Sequence, residues 1–317
     1  MPGNFYIDPH AAVDRAIITH GHSDHAHGGH DNVLATQETL RIMKARLGNA
    51  SGQNKQVLGL GQHITINSVD VSLAPAGHVL GSAQIVMTYN GQTVVASGDY
   101  KRRPDPTCQT FEVIPCDIFI TEATFGLPVF THEPDVKEIE KLLMSLSLFP
   151  ERTHQIGVYA LGKCQRLIAL LRAAGYDRTI WLHGAMKSMC DLYTEMGIEL
   201  GPLKMVSEAT DALAGEIVVC PPSALGDRWS RRFADPLPAF ASGWMRIRAR
   251  ARQRGVELPL IISDHADWPE LVQTIKDVSA PEIWITHGRD DALTLQAETM
   301  GIKARALSMV GFDEEGE

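Results

Sequence analysis

Arg15-Ala16-Ile17-Ile18-Thr19-His20-Gly21-His22-Ser23-Asp24-His25 is the stretch on which the reading of the fold turns. A run of strand-forming apolar residues stops at three imidazoles and a carboxylate, all within six positions. Imidazole and carboxylate together suit Zn²⁺ and other divalent first-row cations. In an extended or turn conformation, His20 and His22 face one metal. Asp24 and His25, read as the start of a helix, face a second. A histidine-rich surface loop is the bland alternative, and it fits poorly a run that is not homopolymeric and ends a strand. His27 and His30, just beyond, read as surface or supporting residues.

Six residues cannot fill two metal shells, so the remaining donors must come from elsewhere in the chain. Three isolated candidates end apolar strands or sit in glycine-flanked loops. His78 lies in Pro75-Ala76-Gly77-His78-Val79-Leu80-Gly81, Asp99 closes Val94-Val95-Ala96-Ser97-Gly98, and His287 follows Ile283-Trp284-Ile285-Thr286. Any one of them alone would more often be structural. Two further strand ends carry an acid and a histidine: Thr121-Glu122-Ala123 and Ser263-Asp264-His265-Ala266-Asp267-Trp268.

Working outward, the N-terminal third reads as short strands, with Asn90-Gly91 a hairpin turn between two of them. Thr36 to Leu47 has helical spacing and ends at Gly48. From about Gly126 the pattern changes to alternating helix and strand, the cadence of a parallel sheet. A Pro- and Arg-rich stretch runs from Pro221 to Arg254, and strand–helix units then return. The closing GFDEEGE is read as a frayed acidic tail.

With 44% hydrophobic and 21% charged residues in 317, the chain can bury an ordinary core. No apolar run approaches the roughly 18 residues of a membrane span, and MPGNFYIDPH lacks the pattern of a secretory leader. Five scattered cysteines with no CxxC pair point to reduced thiols in a cytoplasmic protein, and away from disulfides or thiolate-held zinc. The formal charge of −9 is unevenly spread. Between Leu225 and Gly255 stand eight arginines against two acids. Arg246, Arg248, Arg250, Arg252 and Arg254 recur at every second position. On a strand they would align on one face, and in a loop they would form an electrostatic funnel for a phosphate backbone. Lys163, after Gly162 at a helix start, and Arg166 add further candidate phosphate contacts. Trp244 and Trp268 are candidates for base stacking, with core packing the commoner fate.

HxHxDH, then a lone histidine in a glycine loop, then Gly-Asp after a strand, then a late His-Gly, resembles the metallo-β-lactamase superfamily in order and spacing. The resemblance implies that His20, His22 and His78 hold one metal and Asp24, His25 and His287 the other, with Asp99 bridging. Asp8, in Phe5-Tyr6-Ile7-Asp8-Pro9, matches the superfamily's early acid, which supports the histidine loop through hydrogen bonds. Glu122, His265, Tyr159–Arg166 and Ala241–Met245 look like the additional motifs of the β-CASP nucleases. That resemblance implies an α/β fold: an αββα metallo-β-lactamase sandwich of residues 1–126 and 258–317, with a β-CASP insertion of 127–257. FYIDP, VDRAIITHGHSDHA, GKCQR, SGWM and ISDHADW are most similar to the compact bacterial branch of ligase-associated DNA exonucleases, also described as mRNA 3′-end processing factors. One departure is the short segment before Asp8, which puts the first strand of that fold in question. Another is the lack of the KH or C-terminal RNA-binding modules of other β-CASP enzymes.

The resemblance implies a hydrolase: a dinuclear metal-dependent nuclease, with Zn²⁺ favoured over Mn²⁺, cutting phosphodiesters with a hydroxide activated by the two metals. His265 would protonate the leaving oxygen, and Glu122 would orient it and favour its imidazolium. A DNA exonuclease of repair is the leading reading, with an ATP-dependent DNA ligase and a helicase as implied partners. An RNA 3′-end processing nuclease is the alternative. A thioester or lactam hydrolase, and a pseudo-nuclease that only binds nucleic acid, are more distant.

Overall fold

The structure, a computed structural model, describes residues 2–309. The acidic tail lies outside the described residues. The chain divides into two compact units, residues 132–264 forming one and the segments on either side of them the other.

The first unit opens with β1 (Tyr6–Ile7), β2 (Arg15–Ile17), β3 (Asn32–Ala35), α1 (Gln37–Leu47) and β4 (Asn54–Val57). The four strands form a parallel sheet in the order β1-β2-β3-β4. Next come β5 (His63–Ile66), β6 (Val69–Pro75), β7 (Ala83–Tyr89), β8 (Gln92–Ala96) and β9 (Ile118–Ala123). Strands β5 to β8 are an antiparallel meander, and Asn90 and Gly91 turn the third hairpin with φ of 50° and 79°. Both positive values fit a two-residue turn matched to the strand twist.

The second unit holds α2 (Asp135–Leu148), β10 (Thr153–Gly157), α3 (Lys163–Ala173), β11 (Ile180–Leu182), α4 (Gly184–Glu195), β12 (Leu203–Met205), β13 (Ile217–Cys220), β14 (Pro236–Ala241), α5 (Arg248–Gln253) and β15 (Leu258–Leu260). Its six strands are all parallel, in the order β12-β11-β13-β10-β14-β15. The central strands β10 and β13 are buried along their whole length, as expected of a sheet covered on both faces. The chain then returns to the first unit with α6 (Trp268–Val278), β16 (Glu282–Gly288), α7 (Asp290–Thr299) and β17 (Lys303–Ala306). These complete a seven-stranded sheet in the order β17-β16-β9-β8-β7-β6-β5.

Alternation along β2 explains how the first unit is layered. Ala16 and Ile18 face a cluster with Val33, Ala35, Leu40 and Met43, which seats α1 on one face of the small sheet. Ile17 faces the other way, with Leu34, Val71, Leu73 and Ile85, so the two sheets share a core. The far face of the large sheet is covered by α6 and α7 through Phe119, Leu271, Ile275, Ile283 and Leu293.

Three expectations need correction. The divisions fall at 131/132 and 264/265 rather than at 126/127 and 257/258. Leu258–Leu260 is a strand paired with β14, which ties it to the inserted unit. Phe130 packs on Phe125 at 5.0 Å and accepts a backbone hydrogen bond from Trp268, which ties residues 127–131 to the first unit. Second, Asp24 and His25 stand in a turn closed by Ala26 N–H donating to His22 O at 2.8 Å, not at the start of a helix. Third, the alternating arginines do not form a strand. Arg246 ends a 3₁₀ turn and the rest belong to α5 and its C-cap. Among the described residues, no helix is long and apolar enough to cross a membrane.

Candidate metal centre

The hydrophobic demand of β2 carries the chain into the interior, and the next residues arrive there with polar side chains. Thr19, His20 and His25 are all buried. Asp8, at the end of β1, takes up the strain of holding them. Its φ is +44°, and both of its oxygens are engaged. Oδ1 accepts from Thr19 N–H at 2.8 Å, and Oδ2 accepts from Thr19 Oγ1–H at 2.5 Å and from His25 Nδ1–H at 2.8 Å.

These contacts settle the tautomers. The Thr19 hydroxyl has one proton and gives it to Asp8, so at 3.0 Å from His20 Nδ1 it can only accept. Nδ1 of His20 therefore carries the proton, and Nε2 is left as a bare lone pair. Because His25 Nδ1–H is spent on Asp8, Nε2 is again the atom turned toward the site. One carboxylate thus orients two rings, directly and through a hydroxyl.

The other donors arrive from three loops. Gly77, at φ +73°, lets the chain into the His78 loop, where a Cβ would stand 2.3 Å from Lys101 O. Ser82 Oγ then accepts from the His78 and Val79 amides at 3.1 and 3.2 Å. Gly98, at φ +57°, presses against Thr19 so closely that a Cβ would lie 2.8 Å from the Thr19 Cβ. That approach delivers Asp99. His287 sits at a β-bulge in β16 with φ +49°, and the bulge re-aims its ring to stack on His25 at 4.5 Å and 21°.

Ligand atoms of His20, His22, His78 and Asp99 all lie within 4.8 Å of one another, as do those of Asp24, His25 and His287. Within the first group, His22 Nδ1 is 3.1 Å from His20 Nε2 and 2.9 Å from His78 Nε2. Asp99 Oδ2 stands 3.6 Å from His20 Nε2, 3.8 Å from His78 Nε2 and 3.4 Å from His25 Nε2, so it touches both groups. Asp24 and His287 are exposed, whereas His20, His25, His78 and Asp99 are buried.

Glu122, at the end of β9 and buried, accepts from Tyr100 N–H at 2.8 Å. His265 Nδ1 lies 3.1 and 3.0 Å from its two oxygens and 3.9 Å from Asp99 Oδ2. Ala266 N–H donates to Tyr100 O at 2.6 Å, pinning the loop that carries His265.

The electrostatics call for positive charge among these donors. Burial, then the neighbouring His25 and His78, hold the His20 imidazole well below its ordinary range, so it stays neutral. Burial alone would lower His25 too, but hydrogen bonds to Asp8 and Asp99 outweigh it and raise it to about 11. Burial works to raise Asp99, yet His265, His25 and His20 keep its carboxyl well below the usual range. Asp99 Oδ1 is nonetheless buried with no hydrogen-bond partner among the described residues, and His25 Nε2 stands 3.4 Å from Asp99 Oδ2. Lone pairs of imidazoles aimed at a carboxylate repel it unless a cation stands between them. Donors 2.9–3.8 Å apart match a shell of about 2.1 Å bonds, whose tetrahedral edge is about 3.4 Å. The residues fit a pair of divalent ions.

Sequence reasoning did not single out Thr19 or Ser82. A hydroxyl directly before the histidine run was the available signal for the first, and nothing in the sequence pointed to the second. Lys163 and Arg166 are corrected. Arg166 is fully buried and its guanidinium meets Asp135 Oδ2 at 2.5 Å. Lys163 is buried with Nζ 2.9 Å from Asp264 Oδ1. The Gly162 amide donates to Gln165 Oε1 at 2.8 Å, so the start of α3 is capped by its own side chain. These groups hold the inserted unit together and are not presented to a phosphate. Arg246, Arg248, Arg250, Arg252 and Arg254 are all exposed.

No family model matches the chain. It is similar to the protein named Probable DNA ligase of Opitutus terrae, 26% identical over 310 residues, covering 96% of this chain and 30% of that protein. It is also similar to Endoribonuclease YSH1 of Gibberella zeae, 28% identical over 198 residues, covering 51% of this chain and 24% of that protein. Cleavage and polyadenylation specificity factor subunit 3 of Dictyostelium discoideum is 32% identical over 114 residues, 35% of this chain and 14% of that protein. The chain spans less than a third of the length of each relative. The likeness is to β-CASP proteins of the metallo-β-lactamase superfamily. Among solved structures, a protein of unknown function from Enterococcus faecalis V583 has a similar fold. Its TM-score is 0.59 at 13% identity, covering 93% of this chain and 81% of that one.

Proposed function

We propose, from its kinship with the β-CASP proteins of the metallo-β-lactamase superfamily, that this chain is a dinuclear metal-dependent nuclease that degrades DNA from an end. In this reading the first unit is the αββα metallo-β-lactamase sandwich and the second its β-CASP insertion. The observation that carries it is Asp99, whose Oδ2 lies within 3.4–3.8 Å of histidines from two separate donor groups. His20, His22 and His78 would hold one ion and Asp24, His25 and His287 the other, Zn²⁺ being favoured by the imidazole-rich set over Mn²⁺.

Such ions supply positive charge to the phosphoryl oxygens and acidify water at neutral pH. The remaining chemistry belongs to the chain. Asp8, with Thr19, fixes which nitrogens of His20 and His25 face inward. Glu122 takes Nδ1 of His265, which makes Nε2 the atom that passes a proton to the leaving oxygen.

DNA is favoured over RNA because the match that spans 96% of the chain is to a protein named as a DNA ligase, whereas the match to the Gibberella zeae endoribonuclease covers 51%. The same match supports an ATP-dependent DNA ligase as partner, and a role in repair in the cytoplasm beside a helicase extends that reading. The endoribonuclease relatives support RNA 3′-end processing as the second reading. Digestion of 5′- and 3′-labelled DNA and RNA of one sequence, in Zn²⁺ or Mn²⁺, tests both. Stepwise shortening of DNA with RNA left intact is expected. Internal cuts in RNA with DNA untouched would replace the first reading by the second.

A further inference from the structure

The five exposed arginines of residues 246–254 do not have equivalent surroundings. Phe240, Met245 and Ala251 form a small core, with Leu225, Trp244, Val256 and Ile261 packed against it. Ala251 anchors α5 by one face, and its arginines project from the others. The Arg250 guanidinium lies over the Trp244 ring, 4.1 Å from its centroid. Arg254 lies over Phe240 at 5.2 Å. Arg248 and Arg252, four residues apart and so on one side of the helix, have no ring or acid partner among the described residues. The same pairing recurs at Arg232 over Trp229, at 5.0 Å.

Seating on an aromatic ring does two things to a guanidinium. It removes most of the side chain's rotamer freedom, and it presents the outer face of a flat cation to solvent at a fixed height. Nucleobases stack on arginine planes as they do on aromatic rings. A base-paired duplex keeps its faces inside the stack, whereas a single strand can offer one. Two unpaired cations on the same short helix supply the complementary contact to a phosphate backbone.

We infer that the Trp244–Arg250 stack is a base-stacking platform for single-stranded nucleic acid, with Arg248 and Arg252 as its phosphate contacts. This rests on the nuclease reading and narrows its substrate to unpaired strands. Arg250 acts here through its plane and Arg248 and Arg252 through their charge, so the two roles separate by substitution.

The test is fluorescence anisotropy of the full chain in EDTA with a labelled oligonucleotide, single-stranded or as a duplex, across a salt series. The unaltered protein should prefer the single strand. Arg250→Lys keeps the charge and loses the plane, and should weaken single-strand binding at least about fivefold with little change in salt slope. Arg248→Ala with Arg252→Ala should lower the slope of log affinity against log salt by about 0.7 per residue. Arg232→Lys, which loses an equivalent stack elsewhere, should bind like the unaltered protein, separating a lost platform from a lost fold. Equal binding of duplex and single strand, or full affinity in Arg250→Lys, would mark a plain anion patch and overturn the proposal. So would an unchanged slope in the double substitution. Failure of the metal-loaded, unaltered chain to hydrolyse bis(4-nitrophenyl) phosphate would sink the nuclease reading separately, since that diester has no base to stack.

Discussion

The His265 Nδ1 atom lies 3.1 and 3.0 Å from the two oxygens of buried Glu122, so the ring is held by a symmetric fork. Under the proposed function this ring passes a proton through its free Nε2 and holds no metal. His265→Ala should therefore lower kcat by about 10²- to 10⁴-fold. Metal content should stay at that of the unaltered protein. Loss of metal together with activity would reassign His265 as a ligand.

Thr19 joins Asp8 to His20 with one hydroxyl, which gives its proton to the carboxylate and accepts from the imidazole. Thr19→Val removes that acceptor and frees the His20 tautomer. Metal affinity, measured by competition with a chromophoric chelator, should fall about 10- to 100-fold. Thr19→Ser should restore it. Equal weakening in both would point to packing against Gly98 instead of the hydroxyl.

His25 gives a pH dependence whose sign can be worked out. In the metal-free chain its folded value is raised to about 11, above an unfolded value near 6.5. Its imidazolium then stabilises the metal-free fold in full below about 6.5, and that contribution is lost as pH rises toward about 11. Metal loading between those limits must displace the proton. Calorimetric titration at pH 8 in buffers of different ionisation enthalpy should show about one proton released through His25, absent in His25→Ala. No difference between the two proteins would contradict this.

Arg166 is buried against Asp135, so its removal leaves a carboxylate without its main cation. Arg166→Ala should destabilise the chain by about 3–5 kcal/mol in denaturant unfolding. The salt dependence of nucleic-acid binding should not change. An altered slope with unaltered stability would return Arg166 to the binding surface.

The convergence of the candidate donors was legible in part because several of them follow closely on a buried apolar strand or sit in a loop between two strands. His20 and Asp99 come three residues after β2 and β8, His78 sits in the glycine-flanked loop between β6 and β7, and His287 lies near the end of β16. What could not be read were the features set by tertiary approach: the Thr19 hydroxyl between two groups, the bulge that turns His287, and the division of the chain at 131/132. The arginines show why a pattern can mislead. Their period of two looked like a strand, but the alternation lay in charge and not in burial. Arginine and alanine favour helix, and Ala251 is the buried residue on which α5 rests. Arg166 shows the opposite problem, since a basic residue in sequence gives no sign of whether an acid such as Asp135 waits inside.

Metal analysis of the purified chain by mass spectrometry, beside Asp99→Ala, is the most direct test of a two-ion centre organised by one carboxylate. About two divalent ions per chain are expected, falling to one or none with phosphodiesterase activity abolished in the variant. Full occupancy and full activity in Asp99→Ala would contradict the account, as would a native chain that binds no metal.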